Sequence, residues 1–356
     1  MTLVIIAVTT IVIVMGGLWL QKDKLAQYDL PSGKVFAFKD LETRSANTMA
    51  LEAIYSQLKG SSGLSEVMPW KQRTKYLRKV MDEFRSHIPI VSACTQTDAD
   101  GVPAEWVIAP GADTNRRLLY IHGGAFIAGS PTSHRVITSK LSEISNSAVL
   151  AIDYRLMPEH KRMECVEDCR IAYDWLLGNG VDGPSKATSI YVAGDSAGGN
   201  LTLSLLAWVG DTQRRQPNAA VALSPVTDMR MVNPSIKSNL HSDVMLKPLA
   251  KRLSKLPRWL MVVGGYFVAK HNPLDPVISP LLGNLSGLAP LLIQASEIEI
   301  LRDDARRYVN KAAVAGSDAT LQLWPDMPHV WQMFYPELPA ATEAFAEIEA
   351  FLKRHV

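Results

Sequence analysis

Cysteine is scarce in this chain, three residues in 356, and Cys94, Cys165 and Cys169 are too few and too unevenly placed for a disulfide framework. Cys165 and Cys169 stand four apart in a helical pattern, with no second pair and no ligand-type histidine nearby, so they read as buried thiols and not as a metal site. No metal and no cofactor is expected. An excess of one charge is also missing. The 37 Lys and Arg residues nearly balance 35 Asp and Glu, the net charge is +2, and no long run of like charge occurs, which excludes a nucleic-acid surface. Internal repeats and low-complexity stretches are absent as well, so solenoid and linker-type organisations are excluded.

What is there begins with an apolar start. The first twenty residues, MTLVIIAVTTIVIVMGGLWL, carry no charged side chain. As a helix at ~1.5 Å per residue they would reach about 30 Å, the thickness of a hydrocarbon core. The basic start, short apolar run and small-residue cleavage site of a secretory signal are not evident, so the segment reads as a single uncleaved membrane anchor, with a signal segment as the alternative. Lys22 and Lys24 follow it, and the positive-inside tendency then places the rest of the chain in the cytoplasm, although Asp23 lies between them.

Residues 21–87 carry helical spacing without a strand signal. From residue 88 short apolar strands begin: IPIVSACTQT and AEWVIAP around the turn Asp100-Gly101, then RLLYIHGG, SAVLAIDYRL, SIYVAGDS, AAVALSP, LLIQAS and ATLQLWP. Most alternate with helical stretches. Eight strands in this pattern predict a mostly parallel sheet with helices on both faces, preceded by an antiparallel hairpin. The core then comprises residues 88–228 and 286–356. The intervening 229–285 lack a strand and form an insertion, which with 21–87 reads as a helical cap.

The chemistry centres on Gly194-Asp195-Ser196-Ala197-Gly198. This G-x-S-x-G follows a predicted strand and precedes a predicted helix, the setting of a nucleophile elbow. A serine hydroxyl needs a base. His329, in WPDMPHVWQ just past the last strand, opens toward the crevice at the carboxyl ends of the strands. His122 precedes Gly123-Gly124-Ala125-Phe126, an HGG-type loop whose backbone amides, with that of Ala197, would form an oxyanion hole. The base needs a carboxylate, and in the chain order Ser, acid, His it follows the seventh predicted strand. Glu297, Glu299, Asp303 and Asp304 all qualify there. Glu297 and Glu299 lie on the turn, whereas Asp303 and Asp304 fall in the next helix, where exposed charges are common.

HGGAF, DYRLMPEH, GDSAGGN and the pair EIEILRDD with MPHVW occur in that order over roughly residues 88–354, and in this the chain resembles the hormone-sensitive-lipase-like branch of the α/β-hydrolases, in its bacterial subgroup with a G-D-S-A-G-G motif. The resemblance implies an α/β-hydrolase fold with a helical cap. It lays the family's D-P-L-x-D-E acid motif on Glu299 to Asp304, so the acid is Glu299 with glutamate in place of aspartate and the proline missing. It also implies oxyanion donors at Gly124 and Ala125, with Gly123 there for the turn, and alanine where a third glycine is usual.

The activity implied is that of a serine carboxylesterase acting on short- to medium-chain acyl esters through an acyl-enzyme, with catalytic residues Ser196, Glu299 and His329. A lactone hydrolase with the same triad is the alternative. A long-chain lipase is a further reading, as is a binding protein without turnover, although receptors of that type have lost the histidine that is present here. The partners expected are a small ester or lactone and water, no nucleic acid, a membrane through residues 1–20, and a second copy in a homodimer. Met229, Met231, Met245, Leu246 and Phe267 are candidate walls for the acyl chain.

Overall fold

The computed structural model describes residues 24–38, 40–61, 69–253 and 256–356. The apolar segment 1–20 lies outside the described residues, and among these no helix is long and apolar enough to cross a membrane. Nine strands form one sheet: β1 (Lys34–Val35), β2 (Ala93–Asp98), β3 (Pro103–Ile108), β4 (Asp113–Ile121), β5 (Ser147–Ile152), β6 (Ser189–Asp195), β7 (Ala219–Leu223), β8 (Leu291–Ser296) and β9 (Ala319–Trp324). Their order is β1-β9-β8-β7-β6-β4-β5-β3-β2. β2 and β3 form the expected hairpin, β3 pairs antiparallel with β5, and all other pairings are parallel. The expectation of eight strands misses β1, whose two residues extend the sheet beside β9. Two residues are too short for any alternation to register in the sequence.

The strands are apolar on both faces because both faces are covered. Ile190 and Val192 of β6, with Leu119 and Ile121 of β4, pack into one core layer together with α4 (Arg162–Gly178), α5 (Ser196–Asp211) and α9 (Arg302–Val314). Tyr191 and Ala193, with Leu118 and Tyr120, point the other way, toward α3 (Arg135–Ser145) and α10 (Pro339–Lys353). This period-2 division leaves the central strands fully buried and rigid. Their carboxyl ends, where Ile121 is in register with Gly194 and Asp195 with Leu223, therefore make a firm platform for the loops above.

The segment before the hairpin carries α1 (Leu41–Ser61) and α2 (Trp70–Phe84). Leu51 and Ile54 join a third apolar cluster with Trp324, Trp331 and Phe334, and Phe36 stacks on Trp324 at 3.6 Å between ring centroids. The insertion carries α6 (Ser235–Ser238), α7 (Lys247–Leu253) and α8 (Arg258–Ala269), with no strand among its described residues. Met229, Met231, Met245 and Leu246 are half-buried. Phe267 is not a wall of any interior: it is 73% exposed on the outside of α8, because apolar character alone does not say which way a helix turns a side chain.

Candidate active site

The turn from β6 into α5 places Ser196 at φ 51°, in the left-handed region that a non-glycine residue occupies only when its surroundings hold it there. The glycines around it are required by close approach. A Cβ on Gly198 would lie 1.9 Å from the Ile121 carbonyl oxygen, and one on Gly194 would lie 2.6 Å from the same atom. The end of β4 thus sits directly against the turn, which leaves the Ser196 hydroxyl raised at the N-terminus of a sixteen-residue helix.

His329 reaches it from the loop after β9. Its Nε2 lies 2.9 Å from Ser196 Oγ and its Nδ1 2.6 Å from Glu299 Oε2. An ionised carboxylate can only accept, so Nδ1–H donates to Glu299 and Nε2 is left to accept the serine proton. Burial pushes the imidazole toward the neutral form, but the hydrogen bond and charge of Glu299, followed by the charges of Asp243 and Asp195, outweigh it and raise its pKa above 6.5. Glu299 is fully buried, and its second oxygen, Oε1, accepts from the Ser296 amide at 2.9 Å.

Among the four carboxylates expected near this turn, Glu299 is the one the structure brings to His329. Glu297 is half-buried on the same turn. Asp303 and Asp304 are not exposed helix charges but are buried. Asp303 is paired with Arg302 and Arg306, each at 2.9 Å. Asp304 accepts from the Thr227 amide at 2.8 Å and Asn233 Nδ2 at 2.7 Å. Burial raises the Asp304 carboxyl to about 7, with the Asp228 charge adding to the effect.

The HGG loop is positioned from below by Asp195. Its Oδ1 accepts from Tyr120 Oη at 2.6 Å and from the Gly123 amide at 2.9 Å, while Oδ2 lies 3.4 Å from His134 Nε2. Gly123 is therefore not an oxyanion donor, because its N–H is already used, and a Cβ there would meet Asp195 Oδ2 at 2.1 Å. Gly124 at φ 114° and Ala125 at φ 55° turn the loop over the site. Among the described residues the Gly124, Ala125 and Ala197 amides have no protein acceptor. Burial would raise the Asp195 carboxyl, but the His134 charge and the bonds from His134 and Tyr120 hold it below its ordinary value. The Asp195 charge correspondingly raises His134, against the effect of its own burial. His122, stacked on Tyr154, is pushed down to about 3 by burial and the His134 charge and stays neutral.

The acid turn is held in turn by the insertion. Asn239 Nδ2 donates to the Glu297 and Glu299 carbonyls, both at 2.8 Å, Ser242 Oγ to the Ile298 carbonyl at 2.9 Å, and the Ile300 amide to Asp243 Oδ2 at 2.9 Å. Sequence reasoning missed these residues, and His134 too. Asp195 alone carried a signal, as part of the glycine-serine motif.

Comparison with known proteins finds relatives over most of the chain. The model of a family described as alpha/beta hydrolase fold matches residues 118–333. An acetyl-hydrolase of Streptomyces hygroscopicus is 38% identical over 250 residues, 70% of this chain and 79% of that protein. The carboxylesterase/phospholipase LipF of Mycobacterium tuberculosis is 34% identical over 263 residues, 73% of this chain and 68% of its own length. Among solved structures, an esterase from the bacterial hormone-sensitive lipase family is similar with a TM-score of 0.71 at 34% identity, over 90% of this chain and 99% of that one.

Proposed function

Because the chain belongs to the α/β-hydrolase family, in its bacterial hormone-sensitive-lipase branch, and is a carboxylic ester hydrolase, we propose that Ser196, His329 and Glu299 carry the reaction through an acyl-enzyme. The observation that supports this most strongly is the continuous relay from Ser196 Oγ through the His329 imidazole to Glu299. Ser196 Oγ attacks the ester carbonyl carbon while its proton passes to His329 Nε2. The carbonyl oxygen, now negative, takes hydrogen bonds from the Gly124, Ala125 and Ala197 amides and lies at the positive end of α5. Glu299 stabilises the imidazolium, which then protonates the departing alcohol. Water repeats the sequence on the acyl-serine, and the carboxylic acid leaves.

The substrates we propose are short- to medium-chain acyl esters, with residues 21–87 and 229–285 as the cap that bounds the acyl site. Half-buried Met229, Met231, Met245 and Leu246 supply deformable apolar surface on that side. Rapid mixing with p-nitrophenyl butyrate tests the mechanism. A burst of one p-nitrophenol per chain, followed by slower turnover or by acyl-enzyme trapped at low pH on Ser196, is expected. Ester hydrolysis at the wild-type rate by Ser196→Ala would refute it.

A further inference from the structure

Within the insertion, α8 packs by one side only. Met261, Val262 and Ala269 are buried, and Gly265 faces Pro273 and the Met229 carbonyl. The rest of the helix surface in its second half is apolar yet turned outward: Phe267 is 73% exposed, Val268 70%, Tyr266 52% and Val263 43%, with Leu256 just ahead of the helix at 43%. Tyr266 and Phe267 rest edge to face, 5.8 Å between ring centroids, so they present one aromatic tip. An exposed apolar patch of this kind on one helix marks a place where something docks.

The charge around it says what. From residue 244 to residue 274 the chain has six Lys and Arg (Lys247, Lys251, Arg252, Lys255, Arg258 and Lys270) and no Asp or Glu. Asp275, the next acid, is paired with His271 at 2.6 Å. The rest of the chain is nearly balanced, 31 such bases against 35 acids once these six are taken from the 37. An aromatic and aliphatic helix face within a purely basic segment matches an anionic lipid surface, where the rings enter the headgroup boundary and the cations meet phosphates. A second copy fits less well. In an isologous pair the same basic segment would lie against itself, and like charges would meet.

We propose that the outer face of α8, centred on Val263, Tyr266, Phe267 and Val268, docks on anionic phospholipid bilayers. This contact is separate from the apolar segment 1–20 and from the triad. Its strength rises with anionic lipid, by about fivefold for each Lys or Arg brought to the surface, and falls with salt.

The test reads the face itself, in the full-length chain. The Phe267→Cys variant is labelled at its new thiol with the environment-sensitive fluorophore NBD, and wild type treated in the same way measures reaction at half-buried Cys94. Phosphatidylglycerol vesicles should shift the emission of this label to the blue and protect it from iodide. Phosphatidylcholine vesicles should do neither, and raising salt from about 0.01 M to about 1 M, which cuts the Debye length from about 30 Å to about 3 Å, should reverse the effect. The proposal is overturned by a label that phosphatidylglycerol leaves unmoved, or by equal responses to the two lipids. It is equally overturned by a label already blue-shifted and protected in buffer, which would mean that residues 1–23 or a second copy cover the face.

Discussion

Replacing Glu299 by glutamine removes one charge and changes almost no volume, yet the structure sets which way the new amide points. Glu299 Oε1 accepts from the Ser296 amide at 2.9 Å, so the glutamine carbonyl must take that position. Its NH₂ then faces His329 Nδ1, where 2.6 Å now separates the imidazole from a carboxylate. Two donors cannot face each other, so Nδ1 becomes the acceptor, the proton moves to Nε2, and the base can no longer accept from Ser196. The comparable change in a serine-protease triad lowers kcat by about 10⁴, on the order of 5 kcal/mol of transition-state stabilisation. A fall of that order is expected for Glu299→Gln on p-nitrophenyl butyrate, with KM little changed and the melting temperature near that of wild type. Glu297→Gln, on the same turn but half-buried, should stay close to wild type. If Glu299→Gln remains within tenfold of wild type while Glu297→Gln collapses, the assignment of the acid is refuted and moves two residues.

Four other outcomes follow from the same geometry. Protonated His329 cannot accept from Ser196, and its pKa is raised above 6.5, so kcat/KM should fall on the acid side with a midpoint above 6.5, read from a pH–rate profile. The Asp304 carboxyl, raised to about 7 when folded, binds more protons in the native than in the unfolded chain. Its contribution to stability therefore declines as pH rises from about 4 to about 7, and urea titrations of Asp304→Asn should lack that part of the slope. Asp195→Ala strands two buried donors, Tyr120 Oη and the Gly123 amide, and should cost about 2–5 kcal/mol in chemical denaturation. Across p-nitrophenyl esters, kcat/KM should climb toward butyrate or hexanoate, each buried CH₂ adding about 0.8 kcal/mol while room remains, and then decline. A continued rise through the long chains would instead indicate a lipase.

Much of this site was legible because its signals are local. Ser196 sits in a five-residue motif between a strand and a helix, and the chain order of acid and base follows from the order of the strands. What the sequence could not display depends on partners far apart in the chain. Asp303 and Asp304 read as exposed because charge says nothing of the arginines, amides and asparagine that pair them in the interior. Asn239, Ser242 and Asp243 look like ordinary polar residues of an insertion until the fold brings them against the backbone of the acid turn. Gly123 illustrates the same limit within a motif: it stands beside the two loop amides without acceptors, but its own is taken by a residue 72 positions away. β1 and the outward turn of Phe267 are decided by tertiary packing, which no short pattern encodes.

The most direct test of the account is covalent. A fluorophosphonate attacks only a serine activated by a base and held at an oxyanion site, so treatment of the wild-type chain followed by intact mass and peptide sequencing should find one adduct per chain, on Ser196, with ester hydrolysis lost in proportion. His329→Ala should label far more slowly. An adduct on any other serine, or full ester hydrolysis by a chain whose Ser196 is quantitatively modified, would contradict the account.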